Sequence, residues 1–374
     1  MIKKLGLLAV ITALIAMLAP GPVQAVGGIS IVLSSAQSQF PLTLTFNLQA
    51  QSSAPITDVR LHYAVERDSF VKVVSEIKPV FTVSASVNTS YAWDMRQSGG
   101  LPTGTVVDYW WTVSDSSGSS LSSEQQKVSF NDTRYTWRRL SGGNINLYWY
   151  SGDAAFAQGL LDTAQQGLAA LEKNTGAELS KPVSVYIYNN ANDMQGAMIF
   201  PQDWTGGATY PAYSTIVIGI NGSNLAWGKG ALVHELTHMV DYQMTDNPYS
   251  GLPTWLDEGL AMYSQGALDS SFLGFLTAAI NQGTLISVRS LASPFSANAG
   301  LTYLEYAESY SLIDYLVSTY GQAKMLALLE TFRQGSTYDD ALLKVYGFDM
   351  DGLFSLWKPY AIQKYAPARA GATV

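Results

Sequence analysis

The first third of the chain alternates apolar and polar residues with a period of two. The clearest runs are residues 42–48, 59–65, 80–83 and 106–113. Segments rich in Ser, Gly and Pro separate them, at 52–55, 97–100 and 115–123. Alternation interrupted by turn residues is typical of short strands with one buried face. We therefore predict an all-β domain, built as a β-sandwich, over residues 26–131.

After this β-rich segment the pattern changes to helical spacing. Asp153 can cap a helix whose apolar residues recur three or four positions apart, and Gly176 can end it. Strands are predicted near residues 182–188 and 214–220, and the rest of the chain is almost entirely helical in pattern. Strands followed by helices indicate an α+β domain. We predict this second domain over residues 132–374, mostly helical in its C-terminal half.

The strand pattern of residues 26–131 resembles immunoglobulin-like and fibronectin type III-like modules. Two roles are open for the Trp residues in and just after this part of the chain, a sugar-binding face or packing in the core or at an interface. Trp110, Trp111 and Trp137 fit either role, and core or interface packing is the more common one. We therefore expect packing, and contact with a cell surface or polysaccharide through this domain stays open.

Residues 1–25 have the pattern of a secretory signal peptide. Lys3 and Lys4 precede an uncharged apolar run at 5–19, which a Pro-Gly-Pro segment ends. Val23-Gln24-Ala25 then offers small residues for cleavage after Ala25. The alternative is an uncleaved anchor, but the apolar run is shorter than the roughly 20 residues that cross a membrane. We expect a secreted or extracytoplasmic protein without a membrane span in the mature chain.

The amino-acid composition excludes several kinds of site and partner. The 374 residues include no Cys, which excludes disulfides, thiolate catalysis and Cys-based zinc sites. The net charge of −8 argues against a nucleic-acid partner, because phosphate binding needs clustered Lys and Arg. A hydrophobic fraction of 47% supplies ample material for packed cores.

Two of the three His residues lie in the segment His234-Glu235-Leu236-Thr237-His238. Apolar neighbours on both sides predict a helix, and residues four apart share one helix face. Both imidazoles then point into one site, where their nitrogens suit zinc. Glu235 lies one position along and can take a proton from water that attacks a carbonyl. The alternative, a polar stripe on a helix surface, does not explain the matching second motif nearby.

That second motif lies at residues 252–261, with the sequence Leu-Pro-Thr-Trp-Leu-Asp-Glu-Gly-Leu-Ala. Pro253 suits the start of a helix, and Glu258 falls on its second turn. A short loop would bring Glu258 back to the two His residues as a third ligand. Two His and one Glu form the ligand set of a catalytic zinc with one open position, whereas a structural zinc has four protein ligands. We expect one Zn2+ per chain.

Together the two motifs resemble the gluzincin superfamily, which includes thermolysin-like and aminopeptidase N-like enzymes, and in particular the bacterial peptidase MA-like domains. The likeness covers about residues 148–365, and its specific part is confined to the two motifs. It implies a zincin-like catalytic domain that hydrolyses peptide bonds. In such a domain His234, His238 and Glu258 hold the zinc, and Glu235 is the general base.

The aminopeptidase N-like group uses a Tyr in a Tyr-x-Lys-Gly segment to stabilise the oxyanion. The nearest match in this chain starts at Tyr306, so the resemblance makes Tyr306 a candidate, with Tyr303 and Tyr310 as close rivals. A phenol hydroxyl there could donate a hydrogen bond to the tetrahedral oxygen. The alternative is a packing role in a chain that contains 22 Tyr.

Two departures from these families affect the prediction. Aminopeptidase N-like enzymes hold the substrate amino terminus with the Glu of a Gly-x-Met-Glu-Asn strand. Residues 196–200 keep its Gly and Met but have no Glu, which weakens an aminopeptidase assignment. Thermolysin-like enzymes carry an Asp four residues after the ligand Glu, whereas position 262 is Met. Asp241 and Asp257 are the candidates to replace that Asp as the partner of a ligand His.

These residues favour an exported zinc peptidase that acts on peptides or proteins. The main alternative is a non-catalytic cell-envelope or adhesive binding protein that keeps the fold, and the intact Glu235 argues against it. Hydrolysis of a non-peptide amide or ester would use the same residues and also stays open.

Overall fold

The computed structural model describes residues 28–202 and 205–366. Strands dominate the N-terminal half and helices dominate the C-terminal half, which confirms the coarse prediction. The signal peptide predicted at residues 1–25, with cleavage after Ala25, lies outside the described residues. In the described part of the chain, no helix is both long and apolar enough to span a bilayer.

The first domain is one antiparallel sheet of seven strands in which β2 is central. Its strands are β1 (Ser30–Gln39), β2 (Thr43–Val65), β3 (Ser75–Ile77), β4 (Ser84–Asp94), β5 (Thr105–Asp115), β6 (Ser120–Ser122) and β7 (Gln126–Phe130). The first half of β2 pairs with β1 and β4, and its second half pairs with β3 and β5. One strand thus serves two separate sets of neighbours.

Strand β2 bends sharply, and this bend closes the core of the domain. Phe46 and Tyr63 would be about 56 Å apart if the strand were straight. Their ring centroids lie 6.0 Å apart, and Phe46 also meets Tyr109 of β5 at 5.1 Å. The bend falls at residues 51–56, where the pairing register shifts. The sequence predicted a break between two strands here, whereas the chain stays extended and folds the sheet over on itself. The likeness to immunoglobulin modules stays a prediction.

Two of the three Trp residues considered for a sugar-binding face pack against other side chains of the protein, Trp111 fully buried and Trp137 half-buried. Trp111 is 0% exposed in the core of the first domain. Trp137 packs edge-on against three Tyr rings at 5.1–5.2 Å. Trp110 is half-buried and stacks on His62 at 5.3 Å. Trp111 and Trp137 therefore have the packing role.

The second sheet has five strands in the order β11-β12-β10-β9-β8. They are β8 (Arg138–Gly142), β9 (Ile145–Trp149), β10 (Val183–Tyr188), β11 (Gly207–Tyr210) and β12 (Thr215–Gly219). The three inner strands are parallel, and helix α1 (Ala154–Thr175) makes the crossover from β9 to β10 that parallel pairing requires. Both edge strands run antiparallel to their neighbours.

The two faces of this second sheet bury different cores. One face packs aliphatic residues against α1 and the helix that follows β12. The other face packs Tyr and Trp residues, and Phe40 of the first domain joins that cluster. Asp132, in the junction between the domains, is buried and accepts hydrogen bonds from the Tyr188 hydroxyl (2.9 Å) and the Arg134 guanidinium (2.7 Å). The junction is therefore tightly packed, and the boundary at residues 131/132 stays a prediction.

The remaining helices are α2 (Ala191–Gln195), α3 (Leu225–Thr245), α4 (Thr254–Ser264), α5 (Ser270–Gln282), α6 (Val288–Leu291), α7 (Ala299–Tyr320), α8 (Gln322–Arg333), α9 (Tyr338–Tyr346) and α10 (Met350–Tyr365). Helix α7 packs against α4, α5, α8 and α10 and is central to the helical half. Its buried Asp314 accepts hydrogen bonds from Tyr360 (2.9 Å) and Lys364 (2.6 Å), which hold α10 in place.

Glu308 of α7 is fully buried, and its two carboxylate oxygens accept the backbone N–H of Ile286 at 3.1 and 3.2 Å. Burial raises the pKa of Glu308 from 4.5 to about 8 against the effect of this hydrogen bond, and nearby Glu305 adds to the rise. The folded protein therefore binds this proton more tightly than the unfolded chain. The resulting stabilisation is complete below the unfolded pKa and is lost as the pH rises through about 8.

We expect Glu308→Gln to lose this pH dependence, because the amide keeps an acceptor oxygen for Ile286 but does not titrate. Thermal unfolding of both proteins at pH 5 and pH 8 checks the prediction. The Tm of the wild type should fall by several degrees relative to the variant as the pH rises. Other titrating groups are common to both proteins and cancel. A Tm difference that does not change with pH would contradict the raised pKa.

Candidate metal centre

Helix α3 brings both His residues of the first motif onto one face. The helix contains the whole motif, as the apolar spacing predicted. The rings of His234 and His238 lie 4.8 Å apart, and both side chains are partly exposed. The other face of the helix is buried against the second sheet through Leu232, Leu236 and Met239. This packing fixes the rotation of α3 and so the direction of the two imidazoles.

Glu258 faces the two His residues from helix α4, where it lies on the second turn as predicted. Its Oε2 atom is 3.3 Å from His234 Nε2 and 3.5 Å from His238 Nε2. Helix α4 packs closely on α7, since a Cβ added to Gly259 would lie 2.6 Å from the Ser309 carbonyl oxygen. The three side chains offer ligand atoms that all lie within 4.8 Å of one another.

The spacing of these atoms fits a tetrahedral metal site. Two ligands bound at about 2.0–2.2 Å with a tetrahedral angle lie about 3.3–3.6 Å apart. Glu258 Oε2 is buried and has no hydrogen bond within the described ranges, so a cation would satisfy it. Burial disfavours the charged form, but the two imidazoles outweigh burial and hold the pKa of Glu258 well below its usual range. Two imidazoles and an ionised carboxylate match the ligands of catalytic zinc.

Each of the two imidazoles also has a hydrogen-bond partner at its other nitrogen. Asp257 Oδ1 is 3.0 Å from His238 Nδ1 and can accept its proton. Gln265 Nε2 is 2.6 Å from His234 Nδ1, and the amide accepts the Nδ1 proton when it is turned so that Oε1 faces the ring. Such partners orient a ring so that its free nitrogen faces a metal. The sequence indicated Asp257 as a candidate for this role. It missed Gln265, because no motif marks a residue just beyond the end of α4.

Asp241, the other candidate partner, makes no such hydrogen bond. Its carboxyl group is buried, and neither oxygen has a hydrogen-bond partner in the part of the chain that the structure describes. Burial and the charge of Asp257 raise the pKa of Asp241 well above its usual range, although His238 opposes this. The neutral form of Asp241 is therefore favoured.

The side chain of Glu235 extends from α3 to the edge strand β11. Its Oε2 accepts a hydrogen bond from the Thr209 hydroxyl at 2.6 Å, and the same hydroxyl is 3.1 Å from the Glu235 carbonyl oxygen. A Cβ added to Gly207 would lie 2.8 Å from Glu235 Oε1, so the strand backbone lies directly against the carboxylate. The sequence did not identify Thr209, since a strand of four residues has too little alternation to be recognised.

Residues 196–200, which resemble the Gly-x-Met-Glu-Asn strand of aminopeptidase N-like enzymes, are not the strand that lies beside Glu235. Residues 196–200 follow α2, and Gly196 forms the C-terminal cap of that helix. Strand β11 lies beside α3 instead. It ends at Tyr210, whose pKa is raised to about 12 by burial and by the charge of Glu235. Residues 207–210 also lack a carboxylate, so the argument against an aminopeptidase stays valid.

Among the three candidate Tyr residues, Tyr306 lies at the site. Its ring centroid is 6.3 Å from that of His234. Tyr303 is 42% exposed and stacks on Phe275 at 5.4 Å. Tyr310 packs against another Tyr ring at 5.7 Å. The structure therefore favours Tyr306 over its two rivals by position.

The family model of the peptidase MA superfamily matches residues 163–363, which are 201 of the 374 residues. No curated protein matches the chain. An M1 zinc metallopeptidase from Deinococcus radiodurans is a similar solved structure, at 13% identity over 88% of this chain and 94% of that chain (TM-score 0.36). Aminopeptidase A from Legionella pneumophila aligns at 10% identity over 89% of this chain and 50% of its own length (TM-score 0.38). A β-1,3-glucan binding domain of carbohydrate-binding module family 56 aligns at 15% identity with 26% of this chain and 95% of its own (TM-score 0.16).

The matched residues include the whole candidate metal centre and make up more than half of the chain. The family assignment rests on this match, and the low TM-scores add nothing to it. The chain belongs to the peptidase MA superfamily, in agreement with the gluzincin-type resemblance of its two motifs.

Proposed function

We propose that the protein is an exported peptidase that uses zinc to hydrolyse peptide bonds, with Glu235 as the general base. The main support is that the three candidate metal ligands and the candidate base occupy separate positions around α3. Ligand atoms of His234, His238 and Glu258 converge, while the carboxylate of Glu235 is held separately by Thr209. A carboxylate that is near a metal but is not one of its ligands is free to accept a proton.

The chain's own residues supply binding, orientation and proton transfer. Zinc held by the three ligands would polarise a peptide carbonyl and lower the pKa of water. Glu235 accepts the proton of the attacking water and passes it to the amine that leaves. The hydrogen bond from Thr209 to Oε2 orients the carboxylate for both transfers.

Tyr306 is the candidate donor to the tetrahedral oxygen. Burial raises its pKa, and the charges of Glu258 and Glu235 raise it further. The hydroxyl therefore stays protonated at neutral pH and can donate a hydrogen bond to a developing oxyanion.

Strand β11 supports binding of an extended peptide. It pairs with β12 on one side and is an edge of the described sheet. An extended peptide can add to such an edge through backbone hydrogen bonds. Because residues 207–210 carry no carboxylate, this strand offers no anchor for a substrate amino group, which supports cleavage of peptides with blocked amino termini.

We expect purified mature protein to contain about one zinc per chain, and His238→Ala to lose most of it, because two protein ligands bind zinc weakly. Metal analysis after dialysis checks this. The matched control is His62→Ala, which removes the third His of the chain, in the first domain, and should keep the zinc. Full zinc in His238→Ala would mean that the site lies elsewhere.

Glu235→Gln keeps the shape of the side chain, so it should retain zinc and lower kcat by about 10²–10⁴-fold. Tyr306→Phe should also retain zinc, and its kcat should fall by a smaller factor. Turnover of an acetylated peptide mixture, measured beside zinc content, checks both variants. Wild-type turnover by Glu235→Gln would rule out the mechanism. Absence of cleavage by zinc-loaded wild type would favour the non-catalytic alternative.

Export is supported by the sequence of residues 1–25 alone. Mass spectrometry of the natively exported protein should find Val26 as its first residue. Membrane-bound protein that starts at Met1 would mean an uncleaved anchor instead.

A further inference from the structure

A row of aromatic rings leads from the candidate metal centre to the protein surface. Tyr306 of α7 contacts Phe272 of α5 at 6.3 Å between ring centroids. Phe272 contacts Tyr303 at 5.0 Å, and Tyr303 stacks on Phe275 at 5.4 Å with an interplanar angle of 6°. All three distances lie within the usual range for aromatic contacts. We call Phe272, Tyr303 and Phe275 the aromatic wall.

The outer end of the aromatic wall is exposed, although its rings are apolar. Phe275 is 39% exposed and Tyr303 is 42% exposed. Stacked rings that face water leave apolar surface that a ligand can bury. Because α5 and α7 pack against each other along this contact, the rings are held by two helices and lose little freedom on binding.

The inner end of the aromatic wall is continuous with the site. Tyr306, which contacts Phe272, also lies 6.3 Å from the His234 ring. The outermost ring, Phe275, is three ring contacts from Tyr306. An extended peptide advances about 3.3 Å per residue. A substrate residue within a few positions of the cleaved bond can therefore reach the wall.

We propose that the aromatic wall binds an aromatic or large aliphatic side chain of the peptide substrate, a few residues from the bond that is cleaved. The proposal rests on the proposed function, because it names a substrate preference of the same site. None of the three wall side chains carries a charge, so the wall selects by apolar contact and not by ion pairing.

The test uses seven-residue alanine-based peptides with blocked ends, in which a single Phe moves one position at a time. With zinc-loaded wild type, Phe at one or two positions should raise kcat/KM about tenfold over the all-alanine peptide, through a lower KM at similar kcat. Tyr303→Ala and Phe275→Ala should lose most of this gain. Tyr303→Phe should keep the gain, because the ring remains.

The matched control is Phe70→Ala, which removes a Phe of the first domain that is 60% exposed. It should leave the preference unchanged. Full Phe preference in both Ala variants of the wall would overturn the proposal. An equal gain from Lys in place of Phe would also overturn it, since the rings would then select cations.

A binding measurement separates this proposal from the proposed function. Calorimetry with Glu235→Gln gives the Kd of the same peptides without turnover. If zinc-loaded wild type cleaves no peptide, the proposed function fails. The aromatic wall is still supported if Phe-containing peptides bind about tenfold more tightly and Tyr303→Ala removes that gain. Cleavage by wild type without any Phe preference supports the proposed function and overturns the proposal that the aromatic wall binds a substrate side chain.

Discussion

The position of the third ligand depends on how closely helix α4 packs against helix α7. A Cβ added to Gly259 would lie 2.6 Å from the Ser309 carbonyl oxygen and 2.7 Å from Ile313 Cγ1, so any larger residue would push the helices apart. Glu258 directly precedes Gly259 and would move away from the two imidazoles with its helix. Since Tyr306 lies three residues before Ser309 on α7, one helix contact sets the positions of both the ligand and the candidate oxyanion donor.

Helices α3 and α4 each carry two carboxyl groups around the candidate metal centre, and their surroundings give them different properties. Glu258 faces two imidazoles and is ionised, whereas Asp241 is buried without a partner in the described residues and favours its neutral form. Asp257 is hydrogen-bonded to His238, and Glu235 accepts a hydrogen bond from the Thr209 hydroxyl. In the proposed mechanism, one functional group, the carboxyl, thus supplies a metal ligand, a ring-orienting partner and a proton acceptor.

The sequence was most informative where geometry is local. The spacing of His234 and His238 is set by the helix period, so their shared face could be predicted without knowledge of the fold. Gln265 and Thr209 could not be predicted in this way, because they reach their partners across 31 and 26 positions of the chain. The bend of β2 was missed for a related reason, since Ser, Ala and Pro at the bend resemble a turn between two strands.

The central claim is that one zinc ion is held by His234, His238 and Glu258 with a fourth position left open. Anomalous diffraction at the zinc absorption edge, from crystals of the zinc-loaded mature protein, tests it most directly. The account predicts a single strong peak within about 2.0–2.2 Å of both Nε2 atoms and of a Glu258 oxygen. A peak elsewhere, or one surrounded by four protein ligands, would contradict it.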